Sequence, residues 1–188
     1  MSFQCIAVDD VVPQAWRNGG GQTRELLPWP SQGSWRLRIS RADIAVDGPF
    51  SAFPGVTRWF TVVQGAGVAL TLNGVRQELH CDGEALRFDG ALAPDCRLLN
   101  GPTQDLNLMA TSGDTTMTRV VPDVAWNAHW QMRGLYTAVA GLWRSSKEQC
   151  LVPAHNLLWQ AQATADSDWT FSPESSAAGN AWWLGFTP

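Results

Sequence analysis

Glycine and proline interrupt this chain so often that few windows remain in which a long helix could form. Its 188 residues include 17 glycines and 11 prolines, which divide the sequence into short apolar runs. Both residue types are unfavourable inside helices, and few of the remaining windows show helical periodicity. Many short strands at close, regular spacing are typical of an all-β barrel or sandwich, which is the fold class that we predict.

The strands are predicted from the alternation of apolar and polar side chains. Residues 35–40 alternate in this way, and residues 68–72 and 75–79 do so on either side of Asn73-Gly74, a pair that favours the tight turn of a hairpin. Residues 144–149 are polar and predict a loop. Further strands are predicted at 58–64, 85–88, 97–99, 105–110, 116–121, 126–132, 135–142, 156–163 and 181–186.

Composition excludes several classes of protein. The formal net charge of −4 argues against a general nucleic-acid binder, and no apolar stretch approaches the roughly 18 residues of a membrane span. Residues 1–10 lack the basic start and apolar run of a signal peptide. The four cysteines are widely scattered, so we expect reduced thiols in a cytoplasmic protein, and the alternative is an exported protein with disulfides.

Residues 16–25, WRNGGGQTRE, are the first segment that could carry chemistry. Three consecutive glycines cost backbone entropy, so they usually meet a need for positive φ angles or for a close approach. Two guanidinium groups, an amide, a hydroxyl and a carboxylate surround them. One interpretation is a pocket wall that binds a small anion with backbone N–H groups and arginine forks. The other is a wide bulge or turn with solvated arginines, and the segment alone favours neither.

Two later segments offer further polar groups. Residues 48–58, GPFSAFPGVTR, form a stiff loop that leads into a strand opened by Arg58, whose side chain either meets a carboxylate or forms an ordinary surface ion pair. On a strand, Asp105, Asn107 and Met109 share one face, where an acid and an amide could orient a polar ligand. Asp105 could equally cap a turn.

Other polar residues have plainer interpretations. Arg36, Arg38 and Ser40 share a strand face that we expect to be solvated rather than ligand-facing. The three histidines lie far apart in the sequence, and neither they nor the cysteines match a metal-binding spacing. We therefore expect no metal site.

Taken together, four segments resemble the HutD/Ves family. Residues 16–25 look like its motif W-[KR]-N-G-G-G-x-T-R-E, and residues 38–42, RISRA, are similar to its R-I-S-x-A segment. Residues 48–58 resemble its G-P-F-S-x-F-P-G-x-x-R segment, and residues 105–109, DLNLM, look like its D-x-N-L-M strand. The order and spacing fit as well.

The resemblance implies a cupin-type fold, the double-stranded β-helix, in which one chain forms two fused small barrels, a bicupin. We assign residues 1–112 to an N-terminal barrel that carries the family motifs and residues 113–188 to a C-terminal barrel, and we leave open whether the halves exchange strands. Members of the family are associated with bacterial histidine utilisation, where a regulatory rather than enzymatic role has been proposed. They lack the usual cupin metal ligands.

From the resemblance we expect a metal-independent cupin without cofactors. It would bind a small carboxylate of the urocanate or N-formylglutamate type and act in the regulation of histidine utilisation. Arg24 and Arg58 would clamp carboxylates, and Trp16 or Trp59 would form a flat wall for a planar ligand. The predicted ligand-binding residues are Trp16, Arg17, Asn18, Gly19, Gly20, Thr23, Arg24, Arg58 and Asn107.

The main alternative is a metal-free hydrolase or isomerase of such a carboxylate, which would need a general acid or base within reach of the ligand. Glu25 and Asp105 are the candidates within the motifs, with His80 a remote third. A structural or protein-interaction role is a further alternative. Apart from the small ligand, we expect neither nucleic acid nor a membrane as a partner, and a homodimer is left open.

Overall fold

The computed structural model describes residues 3–127, 129–162, 168–174 and 180–188. Within these ranges the backbone forms strands, turns and one three-residue 3-10 helix, Val8–Asp10, so the all-β prediction is confirmed. The strands in chain order are β1 (Gln4–Ala7), β2 (Gln14–Ala15), β3 (Gly21–Trp29), β4 (Leu37–Ile44), β5 (Gly48–Pro49), β6 (Thr57–Gln64), β7 (Val68–Leu72), β8 (Val75–Leu79), β9 (Leu86–Asp89), β10 (Asp95–Leu98), β11 (Thr103–Ala110), β12 (Asp114–Arg119), β13 (Met132–Thr137), β14 (Gly141–Arg144), β15 (Gln149–Val152), β16 (Asn156–Gln160), β17 (Thr170–Pro173) and β18 (Ala181–Thr187).

Among the described residues, no helix has the length and apolar character that crossing a membrane requires.

Two compact units divide the chain. The N-terminal unit is Val11–Ser112, and the C-terminal unit combines Met1–Asp10 with Gly113–Pro188. The sequence-based division assigned residues 1–10 to the N-terminal barrel. In the structure β1 is antiparallel to β16 along its whole length, so backbone hydrogen bonds tie β1 to the C-terminal unit.

The N-terminal unit contains two antiparallel sheets. One has six strands in the order β2-β3-β4-β11-β6-β9, and the other has four in the order β5-β10-β7-β8. Its core is a cluster of buried apolar residues from both sheets, including Ala42, Ile44, Phe60 and Val62 of the larger sheet and Leu70 of the smaller one. Because side chains alternate between the two faces of a strand, these residues define the inner face of β4 and β6, and Asp105 of β11, whose Cα partners are Ala42 and Val62, extends that face to β11.

The predicted hairpin at residues 68–79 is confirmed. β7 and β8 pair antiparallel, with Val68 opposite Leu79 and Leu72 opposite Val75. The two turn residues between them, at 73 and 74, have φ angles of +49° and +80°. These are the left-handed angles that an Asn-Gly turn adopts in a two-residue hairpin.

The C-terminal unit has a five-stranded sheet, β1-β16-β13-β18-β12, and a three-stranded sheet, β15-β14-β17. Its buried core contains several indole rings. Trp143 and Trp169 meet edge to face with ring centroids 5.0 Å apart, and Trp126 stacks on Trp183 with centroids 5.1 Å apart. Because each large ring buries much apolar area, aromatic side chains fill most of this interior.

One predicted strand of the C-terminal unit is two strands. The sequence predicts a single strand over residues 135–142, but β13 ends at Thr137 and β14 begins at Gly141. The Thr137 hydroxyl donates to the Val139 carbonyl at 2.6 Å and accepts from the Val139 amide at 3.2 Å. This local side-chain bonding replaces the strand ladder and turns the chain.

The stretch before β13 also differs from its prediction. Over residues 126–132, of which residue 128 lies outside the described ranges, the structure has only an isolated bridge between Trp126 and Trp169 before β13 begins. The strand predicted at 156–163 is β16, which ends at Gln160, and residue 163 lies outside the described ranges. The polar loop predicted at 144–149 is confirmed between β14 and β15.

Candidate functional site

A cavity of about 510 Å³ lies within the N-terminal unit. Its wall combines the inner face of β4, β6 and β11 with residues 14–18, at β2 and the turn after it, and with part of the segment 49–53. Small-molecule sites usually have volumes of roughly 300–1,000 Å³. The cavity is therefore large enough for a metabolite.

The register of β11 with its neighbours brings polar side chains together in this wall. Asn107 lies opposite Ser40 of β4, and Met109 lies between Arg38 of β4 and Arg58 of β6. All five side chains line the cavity. Because neighbouring strands are about 4.8 Å apart, the Cα atoms of the two arginines are about 10 Å apart and both side chains extend from the inner face.

Arg58 is a buried cation held by an amide and by aromatic rings. Only 8% of the residue is exposed. Its Nε and Nη2 atoms donate to Asn107 Oδ1 at 2.9 and 2.6 Å. The guanidinium carbon lies 4.5 Å from the ring centroid of Phe50, 5.5 Å from that of Phe88 and 5.8 Å from that of Phe60, which are cation–π distances. The segment 48–58 thus supplies both the arginine and one of the rings that cover it.

The electrostatic environment of Arg58 favours an anion. Burial is the largest influence and lowers the pKa of Arg58 to about 10, the charge of Arg38 acts in the same direction, and Asp105 opposes both. Among the described residues, no carboxylate oxygen lies within 4.0 Å of this guanidinium. Since a buried charge without a counter-ion is costly, an anion in the cavity would relieve that cost.

Arg38 also reaches the cavity, but it already has a carboxylate partner. Its Nε atom donates to Glu25 Oε2 at 2.6 Å. The Arg38 side chain is 17% exposed and Ser40 is buried, so the expectation of a solvated face for Arg36, Arg38 and Ser40 is wrong for the last two. A polar inner face and a solvated outer face have the same alternation in sequence. Arg36 precedes β4 and is exposed.

The turn after β2 forms the rim of the cavity. The Trp16 indole Nε1–H donates to Thr23 Oγ1 at 2.8 Å, and both residues line the cavity. Arg17 and Asn18 line it from exposed positions, and Asn18 Oδ1 accepts from the Gly20 amide at 3.0 Å. Four of the predicted ligand-binding residues are therefore brought together at this rim.

Two of the three glycines in this turn, Gly19 and Gly21, meet needs of the backbone itself. Gly19 has a φ of +69°, which side-chain-bearing residues rarely adopt. A Cβ atom on Gly21 would collide with the backbone carbonyl of Asp43 and lie 3.2 Å from the Trp16 ring. Gly19 and Gly20, predicted to bind ligand, are not among the residues that line the cavity.

Arg24 lies on the opposite face of β3 from Thr23, because side chains alternate along a strand. There its Nη1 atom forms an ion pair with Asp43 Oδ2 at 2.5 Å, and Arg41 Nη2 approaches Asp43 Oδ1 at 2.9 Å. The expected clamp of Arg24 and Arg58 is therefore not formed in this cavity. Besides Arg58, the arginines that line the cavity are Arg38 on the inner face and the exposed Arg17 at the rim.

The alternation of side chains along β6 also bears on the prediction that Trp16 or Trp59 forms a flat wall for a planar ligand. Trp59 lies between the inward residues Arg58 and Phe60 and so faces the other side of β6. It is not among the residues that line the cavity, whereas Trp16 is.

Asp105 is fully buried on the inner face but does not line the cavity. Its Cα partners are the apolar residues Ala42 and Val62, Oδ2 accepts from the Thr103 hydroxyl at 2.8 Å, and Oδ1 has no hydrogen-bond partner. Burial is the largest cause that raises the pKa of Asp105 to about 8, against the Thr103 hydrogen bond and the charge of Arg58. The carboxyl group is therefore mostly protonated at neutral pH.

None of the predicted acid or base candidates lines the cavity. Glu25 is paired with Arg38, Asp105 is enclosed, and the ring of His80 contacts the Ala66 carbonyl at 3.1 Å in an exposed position. Within the described ranges, no group of three or more His, Cys, Asp and Glu side chains is placed to hold a metal ion.

Sequence reasoning missed several residues of the wall. Arg38 and Ser40 were assigned to a solvated face, and the rings of Phe50, Phe53 and Phe60 were not expected to line the cavity. Four of these five lie inside segments that resemble the family motifs. The resemblance to the family motifs was therefore the signal in the sequence that could have identified these four residues.

Known proteins share both the sequence and the fold of this chain. A family model described as HutD matches residues 8–178. An uncharacterized 21.2 kDa protein in the hutC 3′ region of Pseudomonas putida is 36% identical over 111 residues, which is 57% of this chain and 57% of that relative's length. The structure of HutD from Pseudomonas fluorescens SBW25 matches with a TM-score of 0.82 at 25% identity over 100% of both chains.

The fold class is shown by a more distant structure. A Cupin 2 conserved barrel domain protein from Leptotrichia buccalis matches with a TM-score of 0.56 at 9% identity, over 98% of this chain and 96% of that one. The predicted cupin architecture is confirmed.

Proposed function

The chain belongs to the HutD family, and from this premise we propose that it binds a small carboxylate in the cavity of the N-terminal unit. The ligand is a product of histidine breakdown of the urocanate or N-formylglutamate type. Its binding serves the regulation of histidine utilisation, takes place in the cytoplasm and uses side chains rather than a metal ion.

The observation that carries the proposal is the unpaired charge of Arg58. Asn107 Oδ1 holds its Nε and Nη2 atoms, which fixes the plane of the guanidinium. The Nη1 atom has no acceptor among the described residues, so its N–H groups are available to a ligand. A charge-assisted hydrogen bond from a fixed guanidinium to a carboxylate is stronger than one between neutral groups.

The remaining wall suits the body of such a ligand. Asn107 accepts through Oδ1, so its Nδ2 amide group can donate to the ligand beside Arg58. Ser40 of β4 is the Cα partner of Asn107, so its hydroxyl is a further polar group of the same wall. Trp16 and Phe60 offer flat apolar surfaces to a planar or methylene body.

Binding is favoured over turnover by the placement of the carboxylates. A general acid or base must come within hydrogen-bond reach of the reacting group. Glu25 is held by Arg38, and Asp105 is fully buried and does not line the cavity. The geometry therefore favours binding, and the enzyme alternative requires a separate assay of turnover.

Calorimetric titration of the wild type with urocanate and with N-formylglutamate tests the proposal. We expect binding of at least one of them, and a loss of about 10- to 150-fold in affinity in Arg58→Gln, because hydrogen bonds to charged groups contribute about 1.5–3 kcal/mol. Arg87→Gln is the matched control, since Arg87 is exposed, does not line the cavity and carries the same charge. Its affinity should equal that of the wild type.

Two results would count against the proposal. Absence of both heat and a thermal shift at millimolar ligand would reject these carboxylates as ligands. Consumption of either compound, followed by chromatography in metal-free buffer, would instead support the enzyme alternative.

A further inference from the structure

Two arginines on the inner strand face, Arg38 and Arg58, line the cavity of the N-terminal unit, and Arg17 lines it from an exposed position at the rim. Of the two inner arginines, only Arg58 lacks a carboxylate partner among the described residues. Arg38 and Arg58 flank Met109 on the two sides of β11. Glu25 Oε2 lies 2.6 Å from Arg38 Nε, whereas among the described residues no carboxylate oxygen lies within 4.0 Å of Arg58. These three ionised side chains therefore leave one net positive charge on the inner face of the cavity, and Arg17, which lines the cavity from an exposed position, adds a second that solvent screens.

Glu25 is held at this position by β3. It is the Cα partner of Ser40, which lines the cavity, and a bulge in the pairing of β3 with β4 follows directly, between Glu25 and Leu27. Bulges redirect neighbouring side chains. The side chains of Glu25 and Arg38 are 30% and 17% exposed, so solvent screens their attraction only in part.

We propose that Glu25 sets the number of carboxylates that the inner face of the cavity accepts, by occupying the inner guanidinium, Arg38, that a second ligand carboxylate would need there. This inference rests on the proposed function. A ligand with one carboxylate pairs with Arg58 and leaves the pair of Glu25 and Arg38 intact. On the inner face, a ligand with two must displace Glu25 or leave its second carboxylate near a like charge, which is unfavourable. The other arginine of the lining, Arg17, is exposed, so solvent screens its attraction for a second carboxylate.

The inner face of the cavity therefore favours monocarboxylates over dicarboxylates of the same size and shape. In Glu25→Gln the side chain keeps its length but loses its charge. Arg38 then becomes a second uncompensated cation, and a dicarboxylate can pair with both guanidinium groups.

A matched pair of probes isolates the second charge. N-formylglutamine is N-formylglutamate with one carboxylate replaced by a carboxamide of nearly the same shape. In calorimetric titrations we expect the wild type to bind N-formylglutamine at least as tightly as N-formylglutamate. In Glu25→Gln the ratio of the two dissociation constants should shift by about tenfold towards N-formylglutamate.

Two further variants control this result. Adding Arg38→Gln to Glu25→Gln should return the ratio to its wild-type value, because the freed cation is removed again. Glu84→Gln makes the same change in net charge at an exposed residue that does not line the cavity, and the ratio should not move.

The outcomes separate the two proposals. If both probes bind and Glu25→Gln leaves their ratio unchanged, this inference is overturned and the proposed function stands. If the wild type binds neither probe nor urocanate, the proposed function fails, and this inference fails with it.

Near-UV circular dichroism checks that Glu25→Gln is folded. If Glu25→Gln is not folded, the single variant Arg38→Gln tests the inference in its place. That variant leaves Glu25 unpaired, so N-formylglutamate should lose about tenfold relative to N-formylglutamine. An unchanged ratio there is equally a refutation.

Discussion

Replacement of Asp105 by asparagine should remove a pH dependence of stability that the N-terminal unit owes to one buried carboxyl group. Asparagine has nearly the same shape, can accept the Thr103 hydrogen bond and never ionises. The charged and titratable groups that act on Asp105 or are acted on by it are Arg58 of β6, Asp43 of β4 and Cys96 of β10. All of them are retained in the variant, so the comparison isolates the charge of Asp105.

The magnitude follows from the difference in pKa between the folded and unfolded chain. Asp105 has a pKa of about 8 in the fold, against an ordinary value of 3.8. Because the folded pKa is raised, the stabilisation is fully present below about pH 4 and is lost as the pH rises to about 8. At about 1.4 kcal/mol per pKa unit, the total is about 5–6 kcal/mol, of which about 4 kcal/mol is already lost at pH 7.

Urea unfolding at pH 5, 6, 7, 8 and 9 measures this loss. The unfolding free energy of the wild type, relative to that of Asp105→Asn, should fall by about 1.4 kcal/mol per pH unit between pH 5 and 7 and level off above about pH 8. Titration of the side-chain carboxyl ¹³C signal, assigned by its absence in the variant, gives the pKa directly. A transition near pH 4, or parallel stability curves for the two proteins, would refute the reasoning.

Three other substitutions test separate contacts by urea unfolding at one pH. Gly21→Ala should cost about 1–3 kcal/mol because its Cβ meets backbone and the Trp16 ring, and a stability equal to the wild type would show that the turn can relax. Phe50→Leu should cost about 1–2 kcal/mol by removing the ring closest to the Arg58 guanidinium, and no loss would contradict a cation–π role for that ring. Trp169→Ala should cost about 3–5 kcal/mol, and a smaller loss would mean that the surrounding rings close the space.

The strand pattern was predictable wherever backbone propensity and alternation agree. The hairpin at 68–79 is one example, because Asn73-Gly74 fixes the turn and the flanking alternation fixes the register. The single strand predicted at 135–142 failed because the Thr137 hydroxyl bonds within its own turn. That choice between a ladder and a local bond depends on neighbours distant in sequence, such as Asn180, whose carbonyl accepts from the Ala138 amide.

The site was predictable to the extent that its residues fall in motifs. Arg58 and Asn107 were chosen from the sequence, and the structure places them in one cavity with a direct hydrogen bond. The choice between Arg24 and Arg38 could not be made in that way. Both are arginines in polar stretches of neighbouring strands, and only the register and the location of the core assign Arg38 to the inner face.

An arginine held by an amide and covered by a ring occurs in both units, and the comparison shows which part of that arrangement points to a ligand. In the C-terminal unit Arg133 Nε donates to Gln160 Oε1 at 3.1 Å, and its guanidinium carbon lies 4.4 Å from the centroid of Trp169. There the indole rings of Trp143, Trp169 and Trp183 lie in the buried core. In the N-terminal unit the same kind of pairing, Arg58 with Asn107, borders the open space of the cavity. The ligand hypothesis therefore depends on the open space beside Arg58. Filling that space tests it: Ser40→Phe, on the strand next to Asn107, should abolish carboxylate binding in calorimetric titration while leaving Arg58 in place.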